Sequence, residues 1–140
     1  MTGGVSFVVP GKVQAWQRAG RSGGISFTPK ETRSYESAVR LFASQAMAGR
    51  APLDCALRIE VDAVMPVPSS WSKRKQAAAL AGSIRPTSKP DYDNLAKGIS
   101  DACNGIAYRD DALICEALVR KVYGPAPQAV VRIIPIGEAV

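Results

Sequence analysis

The chain has no histidine, and this absence removes more chemistry than any other feature of its composition. A Ser-His-Asp triad is excluded, and no imidazole is available to activate a cysteine thiol. Cysteine is scarce: Cys55, Cys103 and Cys115 lie far apart and form no Cys-x-x-Cys pair. A structural zinc site is therefore not expected. An odd, scattered set fits a reducing compartment, with the thiols acting as small buried apolar groups. Long hydrophobic runs are missing too, since none approaches the roughly 20 residues that cross a bilayer. Met1 to Val9 lacks the basic-then-apolar order of a signal peptide. The expectation is a cytoplasmic protein with no membrane partner and no small-molecule organic cofactor.

What is present points elsewhere. A length of 140 residues predicts one domain, and an apolar fraction of 46% is enough for a core. The net charge is +6 and the isoelectric point about 9.5. Such an excess attracts an anionic partner, nucleic acid first, although it also serves solubility. Val5 to Val9 reads as a strand closed by Pro10-Gly11. Arg18 to Gly24 reads as a flexible basic loop, across which Ile25 to Thr28 can pair back to make a hairpin. Tyr35, Ala38, Val39, Phe42 and Ala46 recur at helical spacing, predicting a helix over 31–48 with Gly49 as its stop. Leu57, Ile59, Val61, Ala63 and Met65 alternate with mostly polar neighbours, the clearest strand in the chain. Ser69 or Ser70 is expected to cap a short helix through Lys73-Arg74-Lys75 to Leu80. A second helix is expected from about Asp93 to Asn104, closed by Gly105, and residues 82–90 form the loop between them. Ile114 to Tyr123 and Ala129 to Ile136 read as strands, with Gly124 to Pro127 as the turn between them. The order β-β-α-β-α-α-β-β predicts a single α/β (α+β) domain, residues 1–140, with a mixed sheet and two to three helices.

The most informative stretch runs from Lys89-Pro90-Asp91-Tyr92-Asp93-Asn94-Leu95-Ala96-Lys97 to Asp110-Asp111. Leu95, Ile99, Ala102 and Ile106 fall on one stripe of the expected helix, with Asp93, Lys97 and Asp101 roughly opposite. Asp93 and Lys97 are one turn apart, whereas Asp101 lies about 12 Å from Asp93 along the axis. Asp91 can turn back towards Asp93, and one of Asp110 and Asp111 can fold back to the same spot. Close carboxylates repel unless a cation sits among them, and hard oxygen donors suit Mg²⁺, for which Mn²⁺ substitutes. Such an ion polarises a phosphodiester and generates hydroxide, while Lys97 is placed to hold a phosphate oxygen. Each residue also has a plain structural role open to it. Asp93 is an ordinary helix cap, Asp93 and Lys97 an ordinary ion pair, and Asp110-Asp111 an ordinary turn. Lys73, Arg74, Lys75, Arg85 and Lys89 near the acids, with Lys12, Arg18 and Arg21 around the Gly-rich hairpin, are candidates for phosphate contacts or solvated surface charges. Trp71 is a core residue or a base-stacking wedge. Of Arg120 and Lys121, the sequence does not say which faces the acids.

The run from Lys89 to Gly105, with Asp110-Asp111 after it, closely resembles the RusA family of Holliday junction resolvases. The flanks agree: Pro68-Ser69-Ser70-Trp71-Ser72-Lys73-Arg74-Lys75 resembles the family's Pro-Ser-x-x-Lys helix. Phe27-Thr28-Pro29-Lys30 followed by Tyr35 resembles its N-terminal segment. The resemblance implies a homodimer with one Mg²⁺-dependent site per subunit, cutting opposed strands of four-way junction DNA symmetrically in recombination and repair. It implies that Asp91, Asp93 and Asp111 hold metal and that Lys97 is the essential lysine, with Asp110 a second candidate for the third acid. A twofold-symmetric junction suits a twofold dimer. Two rivals stand beside this reading: a broader flap or fork nuclease of phage origin, and a non-catalytic junction-binding module.

Overall fold

A computed structural model describes residues 3–14, 20–22, 25–27 and 30–138. The organising strand is β4, Ala56–Pro66, whose alternating burial places Leu57, Ile59, Val61, Ala63 and Met65 in the core. The other elements are β1 (Val5–Pro10), β2 (Gly20–Ser22), β3 (Ile25–Phe27), α1 (Lys30–Met47), α2 (Lys73–Leu80), α3 (Tyr92–Cys103), β5 (Ile114–Gly124) and β6 (Gln128–Gly137). A single turn of 3₁₀ helix, Asp111–Leu113, leads into β5. The architecture is a single α+β domain with a mixed four-stranded sheet, order β1-β6-β4-β5, and three helices.

Two of the expected connections are drawn differently in the fold. Gly124 to Pro127 is not a hairpin turn: β5 pairs parallel to β4, and β6 pairs antiparallel to the other side of β4. The short link therefore steps past the end of β4. Val5–Val9 takes β6 as its partner, with Val5 opposite Ile133 and Val9 opposite Ala129. The N-terminal hairpin is built by β2 on β3, Gly20 opposite Phe27, so part of the expected basic loop is strand. Thr28 and Arg18 lie outside the described residues, as does the side chain of Arg21.

One face of the sheet carries the core. Val5, Phe7 and Val9 of β1, Ala129, Val131 and Ile133 of β6, and the alternate residues of β4 meet Val39, Ala43 and Met47 of α1 and Leu95, Ile99 and Ala102 of α3. Burying a large aliphatic side chain is worth about 1.5–3 kcal/mol, so this stripe fixes which side of α3 faces inward. The opposite sheet face carries ion pairs: Arg58 with Glu60 and Glu116, Arg132 with Glu60 and Asp62, and Arg120 with Asp62. The hydrogen bond from Arg120 is the main reason the Asp62 carboxyl is held below its usual range. Of the three thiols, Cys103 is buried and pushed up to about 12 by desolvation, and Cys55 is half-buried. Cys115 is exposed, contrary to the expectation of three buried thiols, because it lies on edge strand β5. No helix among the described residues is long and apolar enough to cross a membrane.

Candidate active site

The site is organised by α3. Its inward stripe is as expected: Leu95, Ile99 and Ala102 are buried, and Ile106 beyond the helix is half-buried. The helix begins at Tyr92, one residue earlier than expected, with Asp91 at the cap position. Asp91 does not cap with its side chain, because both carboxylate oxygens accept from Lys89 Nζ at 2.9 Å. Asp93 is exposed in the first turn, and its Oδ1 accepts from the Asn94 backbone N–H at 2.9 Å. Acids there gain from the helix dipole, which makes an anionic start inexpensive. Lys97, one turn on, is ion-paired with Asp101 at 3.1 Å.

At the other end, Asn104 caps α3, and its Oδ1 accepts the Asp111 backbone N–H at 2.8 Å. Gly105 then reverses the chain at φ +77°, a conformation that favours glycine. Tyr108, fully buried, donates to the Ser100 carbonyl at 2.6 Å and ties this return to the helix. Asp111 is thereby held beside the C-terminal half of α3. It helps line a pocket of about 240 Å³ whose other walls include Ile59, Val61, Ala96, Ser100 and Val119. Desolvation, then its hydrogen bond with Asp110, raises the Asp111 carboxyl above its ordinary value. Asp110, besides meeting Asp111, caps the 3₁₀ turn: its Oδ1 accepts the Ala112 N–H at 3.2 Å, and this bond is the main reason its own carboxyl is lowered.

The acids thus stand at two levels of one helix. Asp91 and Asp93 are at its start, Asp101 and Asp111 near its end, and Lys97 lies between. Among the described residues, no three acidic side chains stand close enough together to hold one metal ion. The donor chemistry nevertheless suits a hard divalent cation. The donors are all oxygen, and Mg²⁺ is commonly held by one or two carboxylates with water and substrate phosphate completing its shell.

Of the basic candidates, Lys89 meets the start of α3 through Asp91. Lys73, Arg74 and Lys75 are exposed on α2, which is capped by Ser72, accepting from Lys75 N–H at 3.2 Å, and not by Ser69 or Ser70. The difference arises because residues 69–71 are taken up in a turn, in which the Trp71 N–H donates to the Pro68 carbonyl. Trp71 is half-buried, packed edge-on against Tyr123 of β5 at 5.4 Å, with Lys75 Nζ 4.0 Å above its ring. Lys12, Arg85 and Lys89 are exposed. Lys121, which the sequence left level with Arg120, is the one on the α3 side. Its Nζ donates to the carbonyls of Ser88 at 2.7 Å and Pro90 at 3.0 Å. No local pattern marks Lys121, since its facing depends on the register with β4, where it lies opposite Ala63.

Comparison with known proteins gives the family of the chain. The chain is 36% identical over 110 residues to a Bacillus subtilis (strain 168) protein described as "Uncharacterized protein YqaN", covering 75% of each chain. The family model described as "Endodeoxyribonuclease RusA" matches residues 9–134, nearly the whole chain and both ends of the acidic helix. The chain belongs to the RusA endodeoxyribonuclease family, whose members are divalent-metal-dependent nucleases acting on Holliday junction DNA.

Proposed function

We propose that this protein is a Mg²⁺-dependent, structure-selective endonuclease that resolves Holliday junctions by paired symmetric nicks, acting as a homodimer in the cytoplasm during DNA recombination and repair. The observation that carries the reading is the outward side of α3. In a family of endodeoxyribonucleases, this helix buries Leu95, Ile99 and Ala102 and leaves Asp93 and Lys97 exposed. We assign the metal to Asp91 and Asp93 at the start of α3, with Asp111 as the third acid on the family resemblance; Asp111 stands at the other level of the helix, so its share in one ion requires a rearrangement or a second copy of the chain on binding DNA. Its place in the pocket wall beside Ala96 and Ser100 of α3 supports Asp111 over Asp110, whose Oδ1 caps the 3₁₀ turn. A divalent ion bound there supplies Lewis acidity towards the phosphodiester and a water acidic enough to give hydroxide near neutral pH.

The remaining roles fall to the chain's own side chains. Lys97 neutralises charge on the scissile phosphate, exchanging its Asp101 partner for a phosphate oxygen. Lys73, Arg74 and Lys75 on α2, with Arg85 and Lys89 before α3 and Lys12, Arg18 and Arg21 near the N-terminal hairpin, grip phosphates and orient the DNA without reading sequence. Two copies related by a twofold axis present matched sites to opposed strands.

The test is cleavage of a labelled synthetic four-way junction in Mg²⁺, beside linear duplex and flap controls, by wild type and Asp93→Asn. Paired nicks on the junction alone are expected, falling by about 100-fold or more in the variant while binding persists. Equal cutting of flaps and junctions would replace the proposal with a broader branched-DNA nuclease. Binding without cleavage in Mg²⁺ or Mn²⁺ would leave a junction-binding module.

A further inference from the structure

We infer that Lys121 is a positioning residue, clamping from the sheet the turn that delivers Asp91 to the start of α3; this deepens, and rests on, the metal-binding reading of Asp91. Residues 85–90 make no backbone–backbone hydrogen bond to the sheet or helices among the described residues. Two bonds from Lys121 Nζ join this turn to β5: 2.7 Å to the Ser88 carbonyl and 3.0 Å to the Pro90 carbonyl. These carbonyls flank Lys89, and the second belongs to the residue immediately before Asp91. An ammonium carries three donors and no acceptor, so it gathers two converging carbonyls where a hydroxyl would satisfy one. Charge-assisted bonds of this kind are roughly twice as strong as neutral ones.

The placement on β5 gives the contact its direction. Strand alternation puts Lys121 on the same face as Val119 and Tyr123, opposite Ala63 of interior strand β4, and sends Arg120 to the other face. Tyr123, two residues on, supports Trp71 ahead of α2. One strand therefore contacts both the segment before α2 and the turn before α3. Lys89 pairs with Asp91, so a shift of this turn moves the carboxylate and its counter-charge together. Groups that orient a metal ligand in this way typically change metal affinity by 10- to 100-fold when removed.

The experiment compares wild type with Lys121→Met, Lys121→Arg and Arg120→Met in the full chain. Lys121→Met keeps the length and apolar stem of the side chain but has no donor. Arg120→Met removes the same charge from the opposite face. Two quantities are read: amide hydrogen exchange over residues 85–92 without metal or DNA, and the half-saturating Mn²⁺ concentration by titration calorimetry and junction cleavage. In Lys121→Met, exchange of the turn should accelerate about tenfold and half-saturating Mn²⁺ should rise about tenfold, with metal-free junction binding within about twofold of wild type. Lys121→Arg should recover part of both effects, and Arg120→Met neither. Unchanged exchange in Lys121→Met would overturn the clamp, and faster exchange with an unchanged Mn²⁺ requirement would overturn the positioning role. Full cleavage by Asp93→Asn would instead remove the metal assignment, and the exchange measurement would still decide the clamp.

Discussion

At the scale of single residues, adjacent acids are separated by what each already does. Asp110 and Asp111 have the same side chain in consecutive positions. One carboxylate caps the 3₁₀ turn, and the other lines the pocket against α3 with its acidity weakened by burial. Asp111→Asn should therefore lower junction cleavage about 100-fold, whereas Asp110→Asn should stay within a few-fold of wild type. Single-turnover cleavage by both variants checks this, and equal losses would mean that the two acids act together. The motif around Asp91, Asp93 and Lys97 was legible in the sequence because helical spacing is local. The two levels of acids were not, because the position of Asp111 is set by the Asn104 amide and by the Tyr108 hydroxyl bound to Ser100. Lys121 was equally hidden, since one step of strand register decides whether it or Arg120 faces α3.

At the scale of elements, the sheet face that carries the ion pairs has its own electrostatics. Asp62 accepts from Arg120 at 2.7 Å and from Arg132 at 3.3 Å, and the Arg120 bond is the larger cause of its lowered carboxyl pKa. A group whose folded value is depressed stabilises the fold above its unfolded value, about 3.9, and loses that contribution as pH falls through the folded value. Asp62→Asn should cost about 1 kcal/mol near neutral pH, its guanidinium partners being partly exposed to solvent. The gap should close below about pH 4, as urea unfolding at several pH values will show. A pH-independent gap would assign the loss to packing. The edge at β1 gives a steric counterpart. A methyl on Gly4 would run into the Ile133 carbonyl of β6, so Gly4→Ala should cost about 1–3 kcal/mol in the same assay. The extents of α1 at Lys30–Met47 and β4 at Ala56–Pro66 matched their sequence patterns to within a residue or two, whereas β2 lies in what read as a loop. Strand partners did not follow from those patterns, because alternation reports which face is buried and carries no record of which strand lies alongside.

At the scale of the whole molecule, the excess of positive charge is unevenly spent. Arg58, Arg120 and Arg132 are neutralised by Glu60, Asp62 and Glu116 on the open sheet face. Lys73, Arg74 and Lys75 are exposed on α2, on the side of β5 that carries Trp71 and Tyr123. Replacing all three with alanine should reduce the slope of log K against log salt for junction binding by about 2 to 3. The same triple change should leave the sequence pattern of cutting unaltered, because phosphate contacts carry no base information. An unchanged slope would move the DNA path away from α2.

The place of β6 has a consequence for biosynthesis. It lies between β1 and β4, yet it follows both of them, and β5, in the chain. A nascent chain that has not yet reached Gln128 holds β4 and β5 but leaves β1 without a neighbour and the interior side of β4 bare. The platform beneath α1 and α3 then lacks Ala129, Val131 and Ile133 of its core. A chain cut before Gln128 should therefore neither protect the amides of α3 from exchange nor cut DNA, because the sheet is joined only when β6 enters between β1 and β4.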